Sequence, residues 1–298
     1  MKIHNFSAGP CILPQEVFKE ASESLLNFDN LGLSVIEISH RSKSFVAVMD
    51  EAVALTKELL KVPDTHEVIF LQGGASMQFA MVAYNLLTKN GKAQYLDTGA
   101  WASKAFKEAD GLGQAEVIAS SKSSNYNYIP KDYVIDEGAD YFHCTSNNTI
   151  YGTQIKNFPN TRVPVVCDMS SDIFSRTIDV NAFDLIYAGA QKNLGPAGAT
   201  LVIVRKSALG NSGRYIPTML DYNTHISKGS MFNTPPVFSV YVSMLTLRWL
   251  KSNGGVEAIS KRNDEKANLA PQNAFSSSTT HFFREQRTAP HTRPPSSK

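Results

Sequence analysis

Short apolar segments alternate with amphipathic segments along most of the chain. The segment "HEVIFLQ" (66–72) runs into two glycines and then into apolar positions at helical spacing, and "AQYLDTG" (93–99) is followed by "AWASKAFKEAD" (100–110) in the same way. A short apolar run that ends at glycines is typical of a buried strand, whereas apolar residues three and four positions apart indicate a helix. The pattern therefore predicts strand–turn–helix units.

Further core strands are predicted between polar connections, at "ADYFHCT" (139–145), "VPVVCDM" (163–169), "FDLIYAG" (183–189) and "ATLVIVR" (199–205). Strands that are apolar on both faces and alternate with helices predict an α/β fold, in which a mostly parallel sheet is flanked by helices. Ligands of such sheets bind at the carboxyl ends of the strands. The residues directly after each strand are therefore the candidates for chemistry.

Composition narrows the class of protein. The chain has 298 residues, of which 42% are hydrophobic and 19% charged, and its formal net charge is +2. Lysines and arginines are scattered, so neither nucleic acid nor a membrane surface is an expected partner. Without a long apolar run or the apolar core of a signal peptide, we expect a cytoplasmic protein. The cysteines, Cys11, Cys144 and Cys167, lie far apart and lack a C-x-x-C pair, so we expect buried thiols and no metal site.

Two charged residues stand at predicted strand ends. Lys192, in "YAGAQKNLGPAG", follows an apolar strand directly, and Asp168 ends "VPVVCD". Lysine is seldom buried because its ammonium is costly to desolvate, and a buried carboxylate without a cationic partner is costly too. A lysine at the end of a core strand is thus a candidate for chemistry, although a solvated surface turn is the alternative.

Three further strand ends carry groups that bind ligands. The segment Gly73–Ser76 opens a helix whose free N–H groups are able to hold a phosphate, with a plain structural turn as the alternative. Trp101 begins the next helix and offers either a flat stacking face or core packing, and Thr149 offers a hydroxyl. A lysine, a carboxylate, an aromatic platform and a phosphate site together fit pyridoxal 5'-phosphate.

Four segments carry a family resemblance: "NFSAGP", "SVIEISHRSK", "YAGAQKNLGPAG" and "GSMFNTPP". In order and spacing they resemble the phosphoserine aminotransferase family of fold-type-I pyridoxal-phosphate enzymes, over about residues 3–269. The resemblance implies amino transfer between O-phospho-L-serine and 2-oxoglutarate, giving glutamate and 3-phosphohydroxypyruvate, as a step of serine biosynthesis. It leaves open whether a phosphorylated four-carbon substrate of pyridoxine synthesis is used as well.

The same resemblance implies roles for individual residues. Lys192 would carry the cofactor as an imine and move the substrate's proton, and Asp168 would pair with the pyridine nitrogen. Arg41, with His40 beside it, would bind an acidic group of the substrate. The implied cofactor-binding residues are Ala75, Ser76, Trp101, Thr149, Asp168, Gln191, Lys192, Asn233 and Thr234. Of these, Asn233 and Thr234 would reach the cofactor of the other subunit, which implies a homodimer with shared active sites.

Two positions depart from the family pattern. Ser76 stands where other members can carry an arginine, and Ala8 stands where a serine is often found. The phosphate site should therefore carry less positive charge than one with an arginine at position 76. Ala8 removes a side-chain hydroxyl contact. A lyase or desulfurase on the same scaffold is disfavoured, because none of the three cysteines lies in a matching motif.

The C-terminal part departs further. Residues 1–255 are predicted to form the cofactor-binding large domain, with residues 1–15 extended, and residues 256–269 to begin a small domain. From Ala270 the chain is rich in Ser, Thr and Pro, so residues 270–298 are predicted to be a disordered tail in place of the rest of that domain. Two hypotheses stay open: an active aminotransferase, or a truncated form that binds the cofactor but is catalytically impaired.

Overall fold

The computed structural model describes residue 5 and residues 7–268 of the chain. The predicted tail, residues 270–298, lies outside the described residues. So do residues 1–4 and 6 of the segment that was predicted to be extended.

Nine strands are present in the described part of the chain, and seven of them form one sheet. The strands are β1 (His66–Leu71), β2 (Lys92–Asp97), β3 (Gln114–Ser120), β4 (Tyr141–Thr145), β5 (Asn147–Asn148), β6 (Thr153–Gln154), β7 (Val165–Asp168), β8 (Leu185–Gly189) and β9 (Thr200–Arg205). The order across the sheet is β1-β9-β8-β7-β4-β2-β3, and β5 pairs with β6 in a small hairpin. Strand β9 is antiparallel to both of its neighbours, while the other pairs in the sheet are parallel. The prediction of a mostly parallel sheet is confirmed.

Helices cover both faces of this sheet. They are α1 (Gln15–Leu26), α2 (Lys43–Leu60), α3 (Gly74–Leu86), α4 (Ala100–Leu112), α5 (Tyr222–Ile226), α6 (Val237–Ser252) and α7 (Gly255–Asn268). On one face α3 and α4 pack together, and on the other α6 packs against α1 and α2. No helix within residues 7–268 has the length and apolar character needed to cross a membrane.

Each central strand contributes side chains to two separate cores. In β4, Tyr141 packs in the core formed with α3 and α4, whereas the next residue, Phe142, packs in the core formed with α1, α2 and α6. Both side chains are fully buried. Alternating side chains of a strand point to opposite faces, so burial of both confirms that the sheet lies between two helical layers.

Three features differ from the sequence-based expectations or were not predicted. Strand β3 was not predicted, because this edge strand has only exposed and half-buried residues and therefore lacks an apolar run. The connections from β4 to β7 and from β7 to β8 contain no α-helix. The expectation that all three cysteines are buried is wrong for Cys11, which is half-buried, although Cys144 and Cys167 are fully buried.

Candidate active site

The carboxyl ends of the parallel strands bring the predicted residues to one edge of the sheet. Thr145 at the end of β4 is the register partner of Asp168 at the end of β7, and Asp168 is the partner of Tyr187 in β8. Three residues beyond the end of β8, the chain reaches Lys192. Strand pairing thus places a carboxylate and a lysine from different parts of the sequence at the same edge of the sheet.

Lys192 is half-buried, and its side chain is surrounded by polar and aromatic groups. Its Nζ donates to Thr149 Oγ1 at 2.5 Å and to Ser171 Oγ at 2.9 Å. It also lies 6.0 Å from the centroid of the Trp101 ring. Burial lowers the pKa of Lys192 below its usual range, and the Asp168 carboxylate opposes that shift. A lysine with a lowered pKa is more often neutral and therefore a better nucleophile and base.

Asp168 is almost completely buried, with 4% of its surface exposed. Its Oδ1 accepts a hydrogen bond from the Ser170 amide at 2.9 Å. Burial raises the pKa of Asp168 and nearby Asp172 adds to the shift, whereas hydrogen bonds from Ser170 and the charge of Lys192 lower it. Beside it, the hydroxyl oxygen of Thr145 is buried without a hydrogen-bond partner among the described residues. A buried carboxylate beside an unpaired hydroxyl fits a ligand that brings a cationic N–H group.

The turn between β1 and α3 exposes backbone donors. Gly73 and Gly74 have φ angles of 88° and 62°, which favour glycine, and no side chain caps the first turn of α3. A Cβ added at Gly73 would stand 2.5 Å from Met77 Cβ, so a larger residue does not fit there. Ala75 is half-buried and Ser76 is exposed. The N–H groups of this turn are therefore open to an anion such as a phosphate.

Two other predicted residues lie beside these elements. Trp101 is the second residue of α4 and is half-buried. Lys104 Nζ lies 4.4 Å from the centroid of its ring. Gln191 directly precedes Lys192 and lies against Gly189, where an added Cβ would stand 2.7 Å from Gln191 Oε1. Both side chains thus reach the same edge of the sheet as Lys192.

The segment that carries Asn233 and Thr234 lies next to the glycine turn. Gln72, the residue before Gly73, donates from Nε2 to the Thr234 carbonyl at 3.0 Å. Asn233 is half-buried and Thr234 is exposed. The two side chains are therefore accessible at the surface near the candidate phosphate site.

His40 and Arg41 lie in the turn before α2. Arg41 is exposed, and no contact within residues 7–268 joins its guanidinium to Lys192 or Asp168. His40 is half-buried, and its Nε2 is buried without a hydrogen-bond partner in the described part of the chain. Among the described residues, Arg41 therefore makes no direct contact with Lys192, Asp168, Thr149 or Trp101.

Three residues of the site were not singled out in the sequence. Ser170, Ser171 and Asp172 follow Asp168 after one methionine, in "DMSSD". Ser171 contacts Lys192, while Asp172, 5% exposed, pairs with Arg176 at 3.1 Å. The signal that points to them is their position, because consecutive polar residues after a core strand lie at the same sheet edge as the residues that were chosen.

Comparison with known proteins agrees with this geometry. The phosphoserine aminotransferase of Flavobacterium psychrophilum is 64% identical over 270 residues, which cover 90% of this chain and 76% of the relative. The family model for class-V aminotransferases matches residues 3–293. The chain belongs to the phosphoserine aminotransferases of class V. It is an aminotransferase with the fold-type-I architecture.

Solved structures of the same family superpose closely on the chain. Phosphoserine aminotransferase from Bacillus circulans subsp. alkalophilus gives a TM-score of 0.86 at 47% identity, covering 89% of this chain and 74% of that one. The pyridoxal-phosphate-bound enzyme from Trichomonas vaginalis gives a TM-score of 0.86 at 35% identity, covering 90% and 76%. The chain thus spans about three quarters of the length of these relatives.

Proposed function

We propose that the chain binds pyridoxal 5'-phosphate and exchanges the amino group between O-phospho-L-serine and 2-oxoglutarate, as a step of serine biosynthesis. The observation that supports this most is the placement of a half-buried lysine of lowered pKa, Lys192, and the buried carboxylate of Asp168 at the same sheet edge. The high identity to phosphoserine aminotransferases supports the choice of substrate.

The cofactor fits the groups around it. When bound, it supplies an electron-withdrawing ring that stabilises negative charge at the substrate's α-carbon. Asp168 would hold the ring nitrogen in its protonated form, because the buried carboxylate favours a neighbouring positive charge. The open N–H groups of Ala75 and Ser76, with Gln191, would hold the phosphate, and Trp101 would stack on the ring.

Lys192 would act as the base that moves the proton. Its lowered pKa keeps a larger fraction of the amine neutral near physiological pH, as a general base requires. Thr149 would hydrogen-bond near the cofactor's substituents while it holds the lysine at 2.5 Å. Positioning of Nζ between this hydroxyl and the Trp101 ring limits the directions in which it reaches the substrate.

The substrate's acidic groups would be bound by Arg41 with His40. Arg41 is exposed, so its guanidinium is accessible to an anionic ligand. We also propose a homodimer with shared active sites, in which Asn233 and Thr234 reach the partner's phosphate site. An arginine fork suits carboxylate and phosphate alike.

Amino transfer from glutamate to 3-phosphohydroxypyruvate is the test. Purified protein with added cofactor should form 2-oxoglutarate only when the phosphorylated keto acid is present, and Lys192→Ala should not. Visible cofactor absorption without any transfer would instead support the alternative, a chain that binds the cofactor but is catalytically impaired. The absence of both would contradict the proposed function.

A further inference from the structure

The turn that follows Asp168 brings a second hydroxyl to Lys192. Ser171 Oγ lies 2.9 Å from Lys192 Nζ and 2.5 Å from Thr149 Oγ1, and Thr149 Oγ1 lies 2.5 Å from the same Nζ. The three polar atoms therefore form a triangle in which every pair is within hydrogen-bond distance. Ser171 has no role in the function proposed above.

This triangle provides hydrogen-bond partners for Lys192 Nζ in both of its protonation states. A hydroxyl donates one hydrogen and accepts two, and an ammonium donates three. When Lys192 is charged, both hydroxyl oxygens accept from it. When it is neutral, a cyclic arrangement is possible: Nζ donates to one hydroxyl, which donates to the other, which donates back to the lone pair of Nζ. Rotation of the hydroxyl hydrogens is sufficient to pass from one state to the other, so Nζ need not move.

A buried carboxylate fixes the two hydroxyls relative to each other. Asp172, next to Ser171, accepts from Ser146 Oγ and from Gln154 Nε2, the latter at 3.3 Å. Ser146 and Gln154 lie on either side of Thr149, before β5 and in β6. Asp172 therefore ties the turn that carries Ser171 to the hairpin that carries Thr149.

Arg176 also contacts the Asp172 carboxylate. Arg176 donates to Asp172 Oδ2 from Nε at 3.1 Å and lies 3.1 Å from it with Nη2 as well. The backbone of the turn closes with hydrogen bonds from Asp172 N to Met169 O at 3.1 Å and from Ser175 N to Asp172 O at 3.0 Å. The position of Ser171 is thus determined by a network of buried contacts, as expected for a group whose placement matters.

We propose that Ser171 is a positioning residue for Lys192, whose hydroxyl, paired with that of Thr149, holds Nζ in one place whether or not it carries a proton. This inference rests on the proposed function, in which Lys192 accepts and returns a proton. Amino transfer takes the proton from the substrate's α-carbon and delivers it to a carbon of the cofactor, so Nζ must stay within reach of both atoms, and a single hydroxyl would leave the amine free to swing between positions.

The test that needs no cofactor measures the reactivity of Lys192 directly. Cofactor-free protein is labelled with trace acetic anhydride across a pH series, and the peptide that contains Lys192 is quantified by mass spectrometry. Loss of an acceptor disfavours the ammonium, so Ser171→Ala should raise the labelling rate at neutral pH by at least about threefold. Ser171→Thr, which keeps the hydroxyl, should behave as the parent protein.

The matched control is Ser175→Ala. Ser175 belongs to the same turn and is half-buried, but its hydroxyl donates to the Asp172 carbonyl at 2.7 Å instead of contacting Lys192. This variant should leave the labelling profile unchanged. Equal profiles for Ser171→Ala and Ser175→Ala, or a Ser171→Thr variant that labels like Ser171→Ala, would overturn the proposal.

Kinetics give the second measurement. Ser171→Ala should lower kcat for amino transfer by about tenfold with KM within about twofold, because it disturbs the lysine and not the substrate contacts. An unchanged kcat would also overturn the proposal. Because the labelling experiment uses neither cofactor nor substrate, failure of the proposed function, with no transfer by the parent protein, is distinguished from failure of the positioning role.

Discussion

The backbone of Gly9 lies directly against the side chain of Lys192. A Cβ added at Gly9 would stand 2.9 Å from Lys192 Cγ and 3.7 Å from its Cε. The adjoining chain is tied to the same turn, because Cys11 N donates to the Gln191 carbonyl at 3.0 Å. The N-terminal segment therefore packs against the lysine side chain.

Gly9→Ala should displace the lysine. The contact falls on Cγ, in the middle of the side chain, while the Nζ end is held by two hydroxyls, so the stem has little freedom to move. We expect kcat to fall by on the order of tenfold with little loss of stability, as measured by steady-state kinetics and thermal unfolding. Gly111→Ala is the control, because an added Cβ there meets nothing within 4 Å. Equal kinetics for the two variants would show that the contact between Gly9 and Lys192 does not position the lysine.

Lys192→Ala should abolish cofactor attachment and turnover. The lysine supplies both the covalent bond and the base, so transfer should fall by at least about a thousandfold. Borohydride reduction followed by peptide mapping should place the cofactor on Lys192 in the parent protein and on no residue in the variant. Lys104→Ala is the control, because Lys104 contacts the same Trp101 ring but is exposed. Label on another lysine of the parent would show the assignment to be wrong.

The sequence alone predicted the residues at strand ends, and the reason is geometric. Asp168 and Lys192 follow apolar strands, and parallel strands bring their carboxyl ends to one edge whatever the length of the connections between them. The apolar runs that define β7 and β8 are strong signals because both faces of these strands are buried. Fold class and the central pair of the site follow from this rule.

Other parts of the site depend on contacts that the sequence pattern does not encode. Ser171 lies in a turn that is held partly by the hydrogen bond from Ser146, 26 residues earlier in the chain, to Asp172. Strand β3 was missed because it lies at the sheet edge, where strands need not be apolar. Arg41 was chosen from the family resemblance, and its side chain is exposed. Long-range side-chain contacts set the limit of what the sequence predicts.

Asp168→Asn should raise the stability of the cofactor-free protein and reduce the additional stability that the cofactor provides. Burial raises the pKa of Asp168 above its unfolded value, so at neutral pH the ionised carboxylate destabilises the free fold. A neutral amide removes this cost, and the free protein should unfold at a higher temperature. With cofactor the variant should gain less stability than the parent, and turnover should fall by on the order of a hundredfold or more.

Thermal unfolding of the parent and of the Asn variant, each with and without cofactor, measures both effects. A lower unfolding temperature for the cofactor-free Asn variant would show that the carboxylate has a structural role. Turnover within a fewfold of the parent would contradict the pairing of Asp168 with the ring nitrogen.

His143 should make the fold sensitive to mild acid. Its side chain is fully buried, stacks on Tyr95 with ring centroids 4.8 Å apart, and shares a hydrogen bond of 2.9 Å between Nε2 and the Tyr187 hydroxyl. Burial lowers the pKa of His143 to about 3. Between the unfolded pKa of about 6.5 and this value, the unfolded chain binds the proton and the folded one does not, so stability falls as the pH falls.

Urea unfolding of the cofactor-free protein at several pH values measures this slope. The contribution of His143 should reach about 1.4 kcal/mol per pH unit below pH 6, and His143→Gln should remove it. His66, whose pKa burial also lowers, should leave a residual slope in that variant. A parent protein whose stability is constant from about pH 6.5 to pH 4 would contradict the buried neutral state of His143.

Arg41→Gln should weaken substrate binding and leave the fold and the binding of the cofactor unchanged. The side chain is exposed, so its loss should not alter the unfolding temperature or the cofactor absorption. Each charge-assisted hydrogen bond to a phosphate or carboxylate contributes roughly 1.5–3 kcal/mol, so kcat/KM for phosphoserine should fall by about tenfold or more. The exposed arginine of α7 gives a control with the same change of charge, since Arg262→Gln should have no kinetic effect. An Arg41→Gln variant with parental kcat/KM would show that other groups bind the substrate's anionic ends. In a mixed dimer of one Lys192→Ala chain and one Arg41→Gln chain, parental kcat/KM at the remaining lysine would, by contrast, support the supply of Arg41 across the interface.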